Sequence, residues 1–269
     1  MATSPSFSGL KIYLVEPSSM QTQLVLNMLE QLGARQTTRH FSSANEALSE
    51  MRASPPDAVI SSLYLPDMPG TELVCAMRAN SALEWVPFIL ISSEIRPQVL
   101  DPVRQSGACC IIAKPFTLEQ MRRALVSVLE QIAPPEELKL DEDVHVEDLK
   151  VLLVDDSAMS RRYIRHLLEG MGVGHIVEAE NGKAAVTALA DTIFDLVLTD
   201  YNMPEMDGHA LIEYIRTQSW QTEVPVLMVT SENNQGRLAA VEKAGVSAIC
   251  DKPFAQGNIR DEIIRALRR

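Results

Sequence analysis

The sequence predicts an α/β protein built from two doubly wound parallel-sheet domains in tandem. Three observations predict it. The chain repeats itself at an offset of 138 residues, each copy alternates short apolar runs with amphipathic segments, and thirteen residues rich in acid separate the copies.

The repeat sets the architecture. PDAVISSLYLPDMPG (56–70) lies over FDLVLTDYNMPEMDG (194–208), VPFILISSE (86–94) over VPVLMVTSE (224–232), and GACCIIAKPF (107–116) over GVSAICDKPF (245–254), all without insertion. The openings KIYLVEPS (11–18) and KVLLVDDS (150–157) match at 139, so one residue differs in between. Copies of this length are whole domains rather than solenoid units. A chain of 269 residues also suits two domains of about 120–130 residues each.

Within the second copy the strands read VLLV, HIVEA, DLVLTD, VPVLMVT and SAIC. Such continuous apolar runs suit strands buried on both faces of a parallel sheet. Helical patterns lie between them. Ser157 is placed to cap the first, and Tyr163, Leu167 and Leu168 recur along it at helical spacing. The final helix, NIRDEIIRALRR, closes the copy. Five strand–helix units give a (βα)5 domain whose site is expected at the carboxyl ends of the strands. The predicted boundaries are 9–132 and 149–269, with an acidic linker at 133–148.

Charge supports the division. The chain carries −12, and residues 136–148 hold seven acids against one base, half of that net charge. The stretch reads as a solvated linker, and Pro134-Pro135 discourages the preceding helix from continuing. An acidic balance argues against nucleic-acid binding through an extended basic face. No apolar run approaches the ~18–20 residues of a membrane helix. The opening MATSPSFSG has no basic region followed by an apolar core. A cytoplasmic protein is expected. Cys75, Cys109, Cys110 and Cys250 show no zinc spacing and read as core thiols, and the five histidines show none either.

Chemistry gathers at the strand ends of the second copy. The first strand ends in Asp155-Asp156, the third in Asp200, the fourth in Thr230 and the fifth in Asp251-Lys252-Pro253. Three adjacent carboxylates would repel and raise one another's pKa. A divalent cation removes that conflict. Oxygen-only ligands favour magnesium, with manganese able to stand in.

The blocks VLLVDDSAMSRRYIRHLLEGMG, DYNMPEMDG, VLMVTSE and KPF resemble the receiver domains of two-component response regulators, the chemotaxis (CheY-like) regulator above all, over essentially all of 149–269. The resemblance implies a flavodoxin-like fold with a five-stranded parallel sheet of order 2-1-3-4-5 in each copy. It implies Asp200 as phosphoacceptor, a carboxylate nucleophile towards a phosphohistidine or a small phosphodonor. Asp156 would ligate Mg2+ directly and Asp155 through water. Asp200 and the main-chain carbonyl of Asn202 would complete the protein's ligands. Lys252 would neutralise phosphoryl charge, and Thr230 would bond the acyl phosphate and move inward. Pro253 matches the proline that commonly follows a cis bond in the family. Asn202 and Glu232 stand where the family tunes access of the hydrolytic water, so a short-lived phosphoryl group is expected. Ile249 departs from the family, which usually has an aromatic switch residue there. Switching is therefore expected to rely on the loop after the fourth strand and on the fourth helix.

The first copy keeps the apolar pattern and loses the chemistry. It has Glu16-Pro17 for the acidic pair, Ser62 for the acceptor, Ser92 for the hydroxyl and Lys114 for the lysine. Proline offers no side-chain ligand and serine no carboxylate nucleophile, so this copy is expected to be a degenerate pseudo-receiver. Glu16 is expected either to pair with Lys114 or to stand solvated beside it. Asp67 aligns with Glu205 in the loop beyond the third strand, so it is no substitute acceptor.

With no effector segment visible, output is expected through protein–protein contact. The first copy would be a docking or dimerisation platform and the second its phospho-switch. A histidine kinase or phosphotransfer protein would donate, and a downstream protein would receive. The alternative is a phosphate sink that drains a kinase by rapid hydrolysis at Asp200. Neither reading makes the protein an enzyme on external substrates. An aspartate-nucleophile phosphatase would want a DxD pattern after the first strand and a cap domain, and both are missing from the sequence.

Overall fold

The computed structural model describes residues 6–134, 136–140, 145–232, 234–252 and 256–268. Two compact units divide between Ala133 and Pro134.

The first unit runs β1 (Ile12–Val15), α1 (Ser19–Gln31), β2 (Thr38–Phe41), α2 (Ala44–Ala53), β3 (Ala58–Ser62), α3 (Gly70–Arg78), β4 (Phe88–Ser92), α4 (Pro97–Gln105), β5 (Cys110–Ala113) and α5 (Leu118–Ile132). Its sheet is parallel, in the order β2-β1-β3-β4-β5. Alternate residues of the apolar strands part to opposite faces. Ile12, Leu14, Ile60, Ile89 and Ile91 pack under α1 and α5, while Tyr13, Val59, Phe88 and Leu90 pack under α2 and α3. Arg78, buried on α3, donates to the main-chain carbonyls of Leu83, Val86, Ser106 and Gly107, and so ties loops at the amino edge of the sheet.

The second unit repeats the plan with β6 (Lys150–Val154), α6 (Ala158–Gly170), β7 (His175–Ala179), α7 (Gly182–Asp191), β8 (Leu196–Thr199), α8 (Gly208–Thr217), β9 (Val226–Thr230), α9 (Gln235–Ala244), β10 (Ala248–Asp251) and α10 (Gln256–Leu267). The parallel order is β7-β6-β8-β9-β10, the same as in the first unit. The expected flavodoxin-like architecture is therefore present in both copies. Ser157 caps α6 by accepting from the Ser160 amide at 3.2 Å, and Tyr163, Leu167 and Leu168 are buried along it, as their spacing predicts.

The acidic segment differs from a fully solvated linker. The described residues of 134–148 cluster with the second unit. Leu138 is buried, its amide donates to the Met171 carbonyl at 3.1 Å, and Glu136 pairs with Arg260. Val146–Asp148 form one 3-10 turn. Leu138 gains by leaving water even where the acids beside it remain solvated. No helix among the described residues is long and apolar enough to cross a membrane.

Candidate functional site

Parallel strands ending at one edge bring side chains from distant sequence positions together. In the second unit Asp155 and Asp156 follow β6, Asp200 follows β8, Thr230 ends β9 and Lys252 follows β10. One carboxylate oxygen from each of Asp155, Asp156 and Asp200 lies within 4.8 Å of the others. Asp155 and Asp200 are buried, and Asp156 faces solvent.

Each group is held in a specific way. Asp155 Oδ1 accepts the Ser157 amide at 2.8 Å. Its Oδ2 accepts the Ser160 hydroxyl at 2.6 Å and the Lys252 ammonium at 2.6 Å. Lys252 also donates to Ser160 Oγ at 3.0 Å and stands 3.7 Å from Asp200 Oδ1. The Thr230 hydroxyl, fully buried, accepts the Glu232 amide at 3.1 Å. Asn202 is exposed one residue beyond buried Tyr201. Pro253 lies outside the described residues; the matching Lys114–Pro115 bond of the first unit is cis.

Asp200 is the group whose needs are unmet. Among the described residues neither of its buried carboxylate oxygens has a hydrogen-bond donor. Burial pushes its pKa up to about 6, with Lys252 opposing and Asp155 adding to the rise. Burial, and then the Asp155 charge, also raise Asp156. Three carboxylates against one ammonium leave a formal charge of −2 in a partly buried space. A small divalent cation with oxygen ligands would balance that charge and engage the orphaned Asp200 oxygens. The donor set fits such an ion.

Backbone geometry supports this edge. A Cβ on Gly208 would stand 2.2 Å from the Asp200 carbonyl oxygen, so only glycine lets α8 begin against the end of β8. Gly70 meets the Ser62 carbonyl in the same way, at 2.5 Å.

The first unit preserves the frame around different chemistry. Glu16 is buried, accepts the Ser18 amide at 2.9 Å and pairs with Lys114 at 3.2 Å. The pairing is thus formed, and the solvated alternative is not. Lys114 also reaches Ser62 Oγ at 3.4 Å. Ser92 Oγ accepts the Glu94 amide at 2.9 Å, as Thr230 does from Glu232. Pro17 is exposed where Asp156 stands in the other copy. One carboxylate and one ammonium leave no charge for a cation to neutralise. Asp67 instead accepts the amides of Ala44 and Asn45 at the start of α2. Burial works against its ionisation, yet those amides hold its carboxyl below the usual range.

Two participants escape sequence reasoning. Ser160 bridges Asp155 and Lys252, and the only signal for it is a small polar residue on the buried face of α6. Arg237 on α9 pairs with Glu232 at 2.8 Å and lies over the Tyr201 ring, 5.8 Å from its centroid. No motif marks it.

The response regulator receiver domain family matches residues 12–126 and 151–264. Chemotaxis protein CheY-3 of Vibrio cholerae is 34% identical over 122 residues, covering 45% of this chain and 94% of that protein. Chemotaxis protein CheY of Pseudomonas aeruginosa is 35% identical over 121 residues, covering 45% and 98%. Among solved structures, the response regulator CheY4 of Vibrio cholerae is 30% identical, covers 44% of this chain and 98% of its own, and has a TM-score of 0.42. A probable two-component system response regulator/GGDEF domain protein is 21% identical, covers 96% and 98%, and has a TM-score of 0.43. With both segments matched, the chain belongs to the response regulator receiver family and carries two copies of its domain.

Proposed function

We propose that the second unit is a phosphoacceptor receiver and that the first is a pseudo-receiver serving it as a docking or dimerisation platform. Asp200 accepts a phosphoryl group from the phosphohistidine of a kinase or phosphotransfer protein, and output runs through phosphorylation-dependent contact with another protein. The observation that carries the reading is Asp200 itself, buried with neither carboxylate oxygen hydrogen-bonded, beside two further carboxylates and the Lys252 ammonium.

Asp155, Asp156, Asp200 and the main-chain carbonyl of Asn202 would hold Mg2+, which when bound neutralises charge on the phosphoryl oxygens. The chain's own groups do the rest. Asp200 supplies the nucleophilic oxygen, and Lys252, fixed by Asp155 and Ser160, presents a positive charge towards the transferring group. Thr230 is placed to turn its hydroxyl to the acyl phosphate, releasing the Glu232 amide. Turnover is confined to the protein's own aspartate. Glu16, Pro17, Ser62, Ser92 and Lys114 have no nucleophilic carboxylate among them at the acceptor position.

The test is labelling of the full chain with a radiolabelled small phosphodonor and Mg2+. One hydroxylamine-labile phosphoryl group per chain is expected, lost in Asp200→Asn and kept in Ser62→Ala. Label persisting in Asp200→Asn would reject the assignment. Capture of a partner only with Mg2+ and beryllofluoride supports the switch, and hydrolysis with no such partner supports the sink.

A further inference from the structure

We propose that Arg237 is the positioning residue that couples the state of Asp200 to α9, in the place of the aromatic ring that Ile249 lacks. The inference rests on the reading of Asp200 as phosphoacceptor.

Arg237 links the ends of two neighbouring strands. Its guanidinium lies over Tyr201, the residue after Asp200 at the end of β8. It also donates to Glu232 Oε2 at 2.8 Å in the loop leaving β9. Glu232 in turn gives its amide to Thr230 and accepts the Asn234 amide on Oε1 at 2.9 Å. Asn234 is the N-cap of α9, and its Oδ1 accepts from Gly236 and Arg237 amides. A continuous set of contacts thus runs from the Thr230 hydroxyl through Glu232 to the first turn of α9.

The position is costly without an anion. Arg237 is the third residue of α9, where the helix dipole disfavours a cation. Glu232 supplies the compensating charge. A phosphoryl group on Asp200 would add about −1.5 to −2 charges one residue before the ring that Arg237 covers. Its oxygens suit a guanidinium fork better than a single carboxylate oxygen does. If Thr230 turns to the phosphoryl group, the Glu232 amide loses its acceptor at the same moment. Both changes weaken the Glu232–Arg237 pair, and Arg237 exchanges Glu232 for the phosphoryl group, drawing the first turn of α9 with it.

The first unit is an internal control. Val99 occupies the position of Arg237 and Leu63 that of Tyr201. Glu94, matching Glu232, pairs with Arg96, the N-cap residue of α4, at 2.5 Å. Among the described residues, a cation on the third residue of the helix that reaches both this acid and the ring after the acceptor position is found in the second copy and not in the first.

The test is amide hydrogen exchange of the full chain in Mg2+ with and without beryllofluoride, for wild type, Arg237→Ala and Arg237→Lys, with occupancy read by 19F NMR. Beryllofluoride should alter exchange in the first turns of α9 by about tenfold in wild type. In Arg237→Ala the site should still fill while that response falls below about twofold, and Arg237→Lys should restore part of it. A full α9 response in occupied Arg237→Ala overturns the proposal alone. Failure of wild type to take up beryllofluoride overturns it together with the assignment of Asp200.

Discussion

The Lys252 ammonium sits 2.6 Å from Asp155, both groups buried, and the same pair recurs as Lys114 and Glu16 at 3.2 Å in the first unit. Duplication has kept the lysine–acid pair in both copies, while among the described residues only the second adds the two further carboxylates. The pair is therefore part of the frame, and the surplus negative charge around it is what differs.

That frame can be tested by breaking it. Lys252→Met leaves buried Asp155 without its cation and should destabilise the second unit by roughly 3–5 kcal/mol in EDTA. Combining it with Asp155→Asn should cost clearly less than the two single changes together. Trp220 reports on this unit once Trp85 is replaced by Phe, so urea denaturation followed by its emission measures the effect. Additive losses would contradict the pairing.

Asp200 sets a pH dependence. Its pKa is raised to about 6, chiefly by burial, so the folded state keeps a proton that the unfolded chain releases near its ordinary value. Stability contributed by this group therefore falls as pH climbs from about 4 to about 6, reaching a penalty of roughly 3 kcal/mol above that window. Asp200→Asn should stabilise cation-free protein at pH 7.5 and lose this advantage at pH 4. Mg2+ should narrow the difference at neutral pH by stabilising wild type. An Asn variant no more stable than wild type in EDTA would contradict the burial argument.

Gly208→Ala forces a methyl group against the Asp200 carbonyl. A cost of about 1–3 kcal/mol should accompany slower phosphoryl uptake, because the backbone of Asp200, the proposed acceptor, must move. Measuring initial labelling rates under conditions where the variant remains folded separates the two. An unchanged rate would show that the close approach does not position Asp200.

The first site should hold a cation once it is given the charge it lacks. Pro17→Asp with Ser62→Asp would set two carboxylates beside Glu16 and Lys114, and calorimetry should then find a second Mg2+ per chain. Either change alone should leave one.

Much of this was legible in the sequence because each strand carries its chemistry at its end. Asp155, Asp156, Asp200, Thr230 and Lys252 follow apolar runs, and parallel strands of one sheet must bring those ends together. The same logic set Pro17 and Ser62 apart from Asp156 and Asp200 at the matching strand ends. Ser160 and Arg237 were not legible, since their roles depend on which way a helix side chain points across a gap closed only by packing. Leu138 was hidden by composition. Thirteen residues dominated by acid read as solvated, but Leu138 is buried and, with the Glu136–Arg260 pair, lays part of the stretch on the second unit.

The central claim, that one copy alone retains the charge arrangement for a cation, is tested most directly by titrating the full chain with Mn2+ and counting free ion by electron paramagnetic resonance. One competable ion per chain is predicted, displaced by Mg2+ and abolished by Asp156→Ala, with Glu16→Gln leaving it intact. Two ions per chain, or one that survives Asp156→Ala, would contradict the account.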